Sequence, residues 1–269
     1  MEYATSAILK RRKITRRIKM TLLTSAIKTL NDVIRESSYP TGSSITARAL
    51  GVEEALGDPS PYKDFALQRG VEKLMDVEID GHHGQSFTSS PSNWVGTLSD
   101  VLTMDPDDDR SRALIIGTVN ALSSVLGICG HTVHCKNSEP DSCGSEIADL
   151  IEEKLQPDGI LGIVGYQPAM LRNASEKLGP RRVRIVDLNP ANIGQVRYGV
   201  EVWNGDEDME RMADQVDLCL VTGSTLVNDT IDSIVEIYER RDKEIIFFGT
   251  TISGTGALLG LNHLCPKSC

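Results

Sequence analysis

Residues 221–230 read VTGSTLVNDT, and this stretch decides the fold. Before it, Asp217-Leu218-Cys219-Leu220 reads as a short buried strand. After it, Ile231, Ile234, Val235 and Tyr238 recur at helical spacing. The segment is therefore a strand, a Thr-Gly-Ser-Thr turn and a helix. In an open α/β sheet such a turn lies at the carboxyl edge of the strands, where ligands bind. Thr222, Ser224, Thr225, Asn228 and Thr230 would place hydroxyls and an amide on that edge, and Gly223 would let the backbone approach a ligand. The helix start would offer N–H groups to an anion. The same Ser and Thr residues would serve equally well as helix caps.

The same alternation runs through the C-terminal half. Glu146–Leu155 reads as a helix and Ile160–Gly165 as a near-continuous apolar strand of the parallel-sheet kind. Pro168 suits the first turn of a helix reaching Leu178, which Gly179-Pro180 stops. Val183–Leu188, Val200–Trp203, Asp217–Val221 and Ile245–Gly249 continue the strands, with a helix from Met209 among them. The pattern predicts an α/β fold: a Rossmann-like, doubly wound parallel sheet over residues 146–269. Strand ends then bring Gly165 and Tyr166, Asp187 and Asn189, Thr222 and Ser224, and Thr250 and Thr251 to one crevice. Asp187 stands roughly 20 residues past the first turn, where a dinucleotide fold places its ribose-binding acid. The glycine fingerprint does not follow, because Tyr166 and Gln167 would crowd a pyrophosphate. This argues against NAD and leaves an adenosine-containing cofactor as an alternative.

The bulk numbers narrow the function classes. A net charge of -10 and an aromatic content of 4% in 269 residues argue against a nucleic-acid binder. No apolar run is long enough to span a bilayer, and no signal peptide is apparent. The expectation is a cytoplasmic protein with no membrane partner. Lys10, Arg11, Arg12, Lys13, Arg16, Arg17 and Lys19 make residues 1–19 a basic extension, and Met20 is an alternative start. From there Leu22, Leu23, Ile27, Leu30, Val33 and Ile34 predict an amphipathic helix. Residues 20–128 read as a smaller N-terminal α+β domain. Asp105–Asp109 reads as a turn before a central helix from Ser111 toward Leu126. Gly81-His82-His83-Gly84 reads either as a polar turn or as ligands near the interdomain cleft.

Six cysteines in such a chain are better read as free thiols or metal ligands than as a disulfide frame. Residues 129–145 form a Cys/His-bearing connector. Within its loop Gly130–Gly144, His131, His134, Cys135 and Cys143 gather the thiolate and imidazole donors that suit a transition metal. A Cys135–Cys143 disulfide and a plain linker are the other readings. Cys265 lies in a C-terminal tail that could fold back over the crevice. Cys219 reads as a buried strand residue.

GIVGYQPAML, VDLNPANIG, DLCLVTGSTLVNDTID and IIFFGTT together resemble the C-terminal domain of the "putative heavy-metal chelation" family. NALSSVLG and the sequence before it resemble that family's N-terminal domain, which is similar to the N-terminal domain of enolase. The resemblance implies metal handling or a step near corrinoid metabolism. The leading expectation is a metal-handling protein. His134, Cys135, Cys143 and Cys265 would hold a transition metal. The edge formed by Gly165, Tyr166, Asp187, Asn189, Thr222, Gly223, Ser224, Thr225, Asn228 and Thr250 would hold a small anionic molecule or metal chelate. The alternatives are an enzyme using an adenosine-containing cofactor and a non-catalytic small-ligand binder, either of which admits a homo-oligomer.

Overall fold

The computed structural model describes residues 20–58 and 72–268. The basic stretch before Met20 lies outside them. The first helix, α1 (Leu22–Ser37), starts where the Thr21 side chain accepts the Thr24 N–H, and it buries Leu23, Ala26, Leu30 and Ile34 on one face. Strand β1 (Ser44–Ala49) leads to a short helix α2 (Val52–Leu56). Then β2 (Lys73–Ile79) and β3 (His82–Thr88) form a hairpin, and β4 (Trp94–Thr97) runs into α3 (Leu98–Leu102). These four strands pair antiparallel in the order β3-β2-β1-β4. The hairpin turns on Asp80 and Gly81, both at positive φ (50° and 78°), the backbone that a two-residue turn between twisted strands requires.

Helix α4 (Asp109–Val125) packs across this sheet. Asp108 caps it by accepting the Ser111 N–H at 2.7 Å, so the acidic stretch is a helix start, as its position suggested. Every residue from Arg112 to Ser123 is buried. The helix backbone lies so close to β3 that a Cβ on Gly84 would stand 2.1 Å from the Ala121 nitrogen. Gly84 is therefore a packing residue, and His82 and His83 occupy a strand rather than a loop.

The second half starts with α5 (Glu139–Lys154), which begins seven residues before the Glu146 expected from sequence and so takes Cys143 out of the connector loop. Then follow β5 (Leu161–Val164), α6 (Pro168–Leu178), β6 (Val183–Asp187), the edge hairpin β7 (Val196–Arg197) and β8 (Val200–Asn204), and α7 (Met209–Gln215). After these come β9 (Leu218–Thr222), α8 (Ser224–Val227), α9 (Ile231–Glu239), β10 (Glu244–Phe248), α10 (Ser253–Leu259) and β11 (His263–Leu264). The sheet order is β11-β10-β9-β5-β6-β8-β7, parallel throughout except for β7. The chain enters at β5 and winds outward through β6 and β8. It then returns to β9 and winds the other way through β10 and β11. This is the order of a doubly wound, Rossmann-like sheet. Its direction reverses between β5 and β9, where the loops after these strands part and leave a crevice.

Two apolar clusters cover the faces of this sheet. On one face Ile147, Ile151 and Leu171 of α5 and α6 pack on Leu161, Ile163 and Ile185. On the other face a single core is continuous from Leu30, Ile45, Met75 and Leu122 to Val164, Val186, Val221 and Phe247. The two sheets thus share a core, with α4 between them. Asn120 on α4 is fully buried. Its Nδ2 donates to the carbonyls of Gln85, Thr250 and Thr251 at 2.9 to 3.1 Å, and its Oδ1 accepts from Gly254 N–H at 2.8 Å. Arg112, also buried, donates to the Val227 carbonyl at 2.5 Å across the same seam. Among the described residues, no helix is long and apolar enough to cross a membrane.

Candidate functional site

A cavity of about 640 Å³ opens at the reversal point. The carboxyl ends of the parallel strands form its floor: Val164, Gly165 and Tyr166 after β5, Asp187 and Asn189 after β6, Thr222 to Thr225 after β9, and Phe248 and Gly249 after β10. Helices α5 and α6 supply Cys143, Gly144, Ile147 and Met170 to one wall. Glu72, Phe87, His134 and Cys135 close it from the antiparallel-sheet side, and Cys265 comes from the C-terminal tail.

Several edge residues named from sequence line this cavity but spend their polar groups on the fold. Gly165 has φ 91°, and a Cβ there would meet the Thr222 methyl at 2.5 Å, so the turn after β5 is closed by glycine. Gly223 lines the cavity. Its φ is ordinary, and a Cβ there would stand 2.7 Å from the Ile252 nitrogen, so it makes room for the neighbouring backbone. Asp187 accepts N–H bonds from Tyr166 (2.7 Å) and Asn189 (2.9 Å) and from the Asn192 side chain (2.9 Å). It organises two loops rather than standing open to a ribose. Asn189 accepts the Ala191 N–H, Thr225 donates to the Thr222 carbonyl, and Asn228 accepts the Thr230 hydroxyl. Ser224 lines the cavity at the start of the short helix α8. Thr250 is fully buried and does not line the cavity, whereas its neighbour Thr251 does.

The thiols converge from three separate segments. Cys143 on α5 touches the thiols of both Cys135 and Cys265, and Cys135 and Cys143 are buried. Contact with Cys135, and then burial, pushes the Cys143 thiol up to about 12; contact with Cys143 and burial raise Cys265. The tail that carries Cys265 is docked. Strand β11 pairs with β10, His131 Nδ1 and the Ser268 carbonyl lie at 2.9 Å, and Lys267 pairs with Glu146. His134 stands edge-on to Phe87 with ring centroids 5.2 Å apart. Burial pushes its imidazole down to about 4, and its Nδ1 is buried without a hydrogen-bond partner. A neutral imidazole and three thiols on one cavity lining are soft and borderline donors. The thiols face one another rather than a common centre. Among the described residues, no group of three or more His, Cys, Asp or Glu is arranged to hold a metal ion. Binding one would exchange thiol–thiol contacts for metal bonds, with loss of protons.

The remaining histidine expectation fails. His82 lies 2.9 Å from the Ser124 hydroxyl and His83 pairs with Asp76 at 2.9 Å, at the turn end of β3. Phe87, near the other end of the strand, is the β3 residue that reaches the cavity. The Cys135–Cys143 disulfide is not formed, and both are free thiols. Cys219 is buried in β9, as its setting suggested. Glu72 is a cavity residue that the sequence reading did not single out. Burial, and then the nearby Asp187, push its carboxyl up. The described lining contains Glu72, Asp187 and Asp206 but no Lys or Arg. Among these described residues an anion would find no basic counter-charge.

Residues 149–263 match the model of the DUF364 family, described as "Putative heavy-metal chelation". No curated protein matches the chain. Among solved structures, a DUF364-family protein of unknown function from Pyrococcus horikoshii is similar over 91% of this chain and 82% of its own. The two share 16% identity at a TM-score of 0.51, which is a likeness of fold. A second DUF364-family protein of unknown function, from Desulfitobacterium hafniense DCB-2, matches 70% of this chain and 72% of its own at 12% identity and a TM-score of 0.45.

Proposed function

We propose, for a chain whose residues 149–263 carry a DUF364 domain, that the protein binds a thiophilic heavy-metal ion at the cavity wall through Cys135, Cys143 and Cys265, with His134 as a further donor. The observation that carries this reading is the meeting of three thiols from separate segments around Cys143. Thiolate is the ligand of choice for soft and borderline cations. The metal is the cargo. The carboxylates of the described cavity lining have the charge sign that attracts a cation. The adenosine-cofactor reading gains nothing from this geometry, since Asp187 already holds three N–H donors.

The test is titration of anaerobic, reduced protein with Cd(II), followed by the ultraviolet sulfur-to-cadmium charge-transfer band. One ion per chain is expected. Cys143→Ser and Cys265→Ser should each weaken the band, while Cys129→Ser, outside the trio, should keep it. A parent that develops no band, or a band that survives in both trio variants, overturns the proposal.

A further inference from the structure

The cavity is much larger than a metal ion requires. About 640 Å³ falls within the range of pockets that enclose small organic molecules. Beside the thiols, therefore, lies room for a second chemical partner, and the described residues around it are one-sided in charge. Glu72 enters from the antiparallel-sheet side, Asp187 from the end of β6 and Asp206 from the loop after β8. The three donors on Asp187 are two backbone N–H groups and a side-chain amide, so they fix its carboxylate without cancelling its charge. Glu72, half-buried, lies near that carboxylate, and among the described lining residues no Lys or Arg accompanies it. Much of the rest of the lining is apolar, including Tyr166, Met170 and Ile237.

Glu72 and Asp187 are half-buried and Asp206 is exposed at the mouth. Bringing in an anion would add like charge to this described lining, whereas a cation would supply an opposite one. An apolar wall facing the carboxylates favours a cation with a hydrocarbon body over a bare ion. We propose that the part of the cavity next to Glu72 and Asp187 binds a protonated organic amine. The inference rests on the same cavity being the functional site and deepens that reading. It replaces an anionic chelate with an amine, whose protonated nitrogen meets the carboxylates; in a polyamine a second, unprotonated nitrogen is free to face the thiol-bound metal.

The experiment uses the full chain, metal-free and reduced. Calorimetric titrations compare triethylenetetramine, a linear tetraamine, with citrate, an anionic chelator of similar size. Triethylenetetramine is expected to saturate one site and citrate to show no binding. Glu72→Gln should weaken the amine by about tenfold, the equivalent of one charge-assisted hydrogen bond. Glu176→Gln, which makes the same charge change on the exposed face of α6, should leave affinity unchanged. Equal amine binding by Glu72→Gln and the parent, loss of affinity in Glu176→Gln as well, or saturable citrate binding would each overturn the proposal. Cadmium titration of aliquots of the same protein free of amine and citrate separates the two claims. Amine binding that fails while the cadmium band forms sinks this inference alone, and the reverse sinks the metal reading alone.

Discussion

Asn120 makes four hydrogen bonds at the joint between the two sheets, and its removal has a definite cost. Asn120→Ala leaves the buried Gly254 N–H without its acceptor and takes a donor from the carbonyls of Gln85, Thr250 and Thr251. A buried group left unsatisfied costs about 1–3 kcal/mol, and truncation in a close-packed site adds a cavity term, so the expected loss is roughly 3–5 kcal/mol. That is a large part of the ~5–15 kcal/mol by which proteins are stable. Asn120→Asp has nearly the same shape and separates chemistry from volume. One oxygen can still accept from Gly254, but the other faces three carbonyls and must carry a proton. Its folded-state pKa is then raised above that of the unfolded chain. The folded state binds more protons in the window between the two, so stability falls as pH rises through it. Urea unfolding at about pH 5 and about pH 8 reads both effects. The alanine variant should lose similar stability at both values, and the aspartate variant should lose more at the higher one. An alanine variant within about 1 kcal/mol of the parent would refute the reasoning, since losses that small are ordinary for positions without a special role.

Further outcomes follow from the cavity. Gly223→Ala pushes a Cβ against the Ile252 backbone and should cost about 1–3 kcal/mol in chemical denaturation, with the loss arising from overpacking rather than from a missing ligand. His134 takes up its proton near 6.5 when unfolded but only near about 4 when folded. The unfolded state therefore binds more protons between those values, and stability rises with pH across them by up to about 3 kcal/mol. His134→Leu should flatten that slope in urea midpoints, and an unchanged slope would contradict the assignment. Raised thiols at Cys143 and Cys265 should react slowly with iodoacetamide near neutral pH, so mass spectrometry should find half-exposed Cys129 labelled before either of them. Cadmium affinity should climb with pH because the trio gives up protons on binding.

The parallel sheet was legible in the sequence because its strands are covered on both faces. Leu161–Val164, Leu218–Thr222 and Glu244–Phe248 read as near-continuous apolar runs punctuated by glycine and hydroxyl residues. The antiparallel sheet was harder to read. Lys73–Ile79 buries Asp76 among apolar neighbours, and His82–Thr88 carries Gln85 and Ser86 into the interior. Their polarity hides the strands, although Asp80-Gly81 was a usable hairpin signal. Within the site, chemical type was readable and orientation was not. Nothing in a Thr-Gly-Ser-Thr turn distinguishes a glycine that faces a ligand from one pressed on Ile252. Nothing in Thr250-Thr251 tells which of the two is turned inward. Cys135, Cys143 and Cys265 could be named from the sequence, but their contact depends on the start of α5 and on the pairing of β11 with β10. Glu72 was passed over because its significance lies in charges that other segments bring, not in its neighbours along the chain.

X-ray absorption at the metal edge of the anaerobic, singly loaded cadmium protein tests the central claim most directly. The account predicts a first shell dominated by sulfur, with two or three thiolate scatterers that decrease in Cys143→Ser. A shell of oxygen and nitrogen alone, unchanged by that substitution, would contradict it.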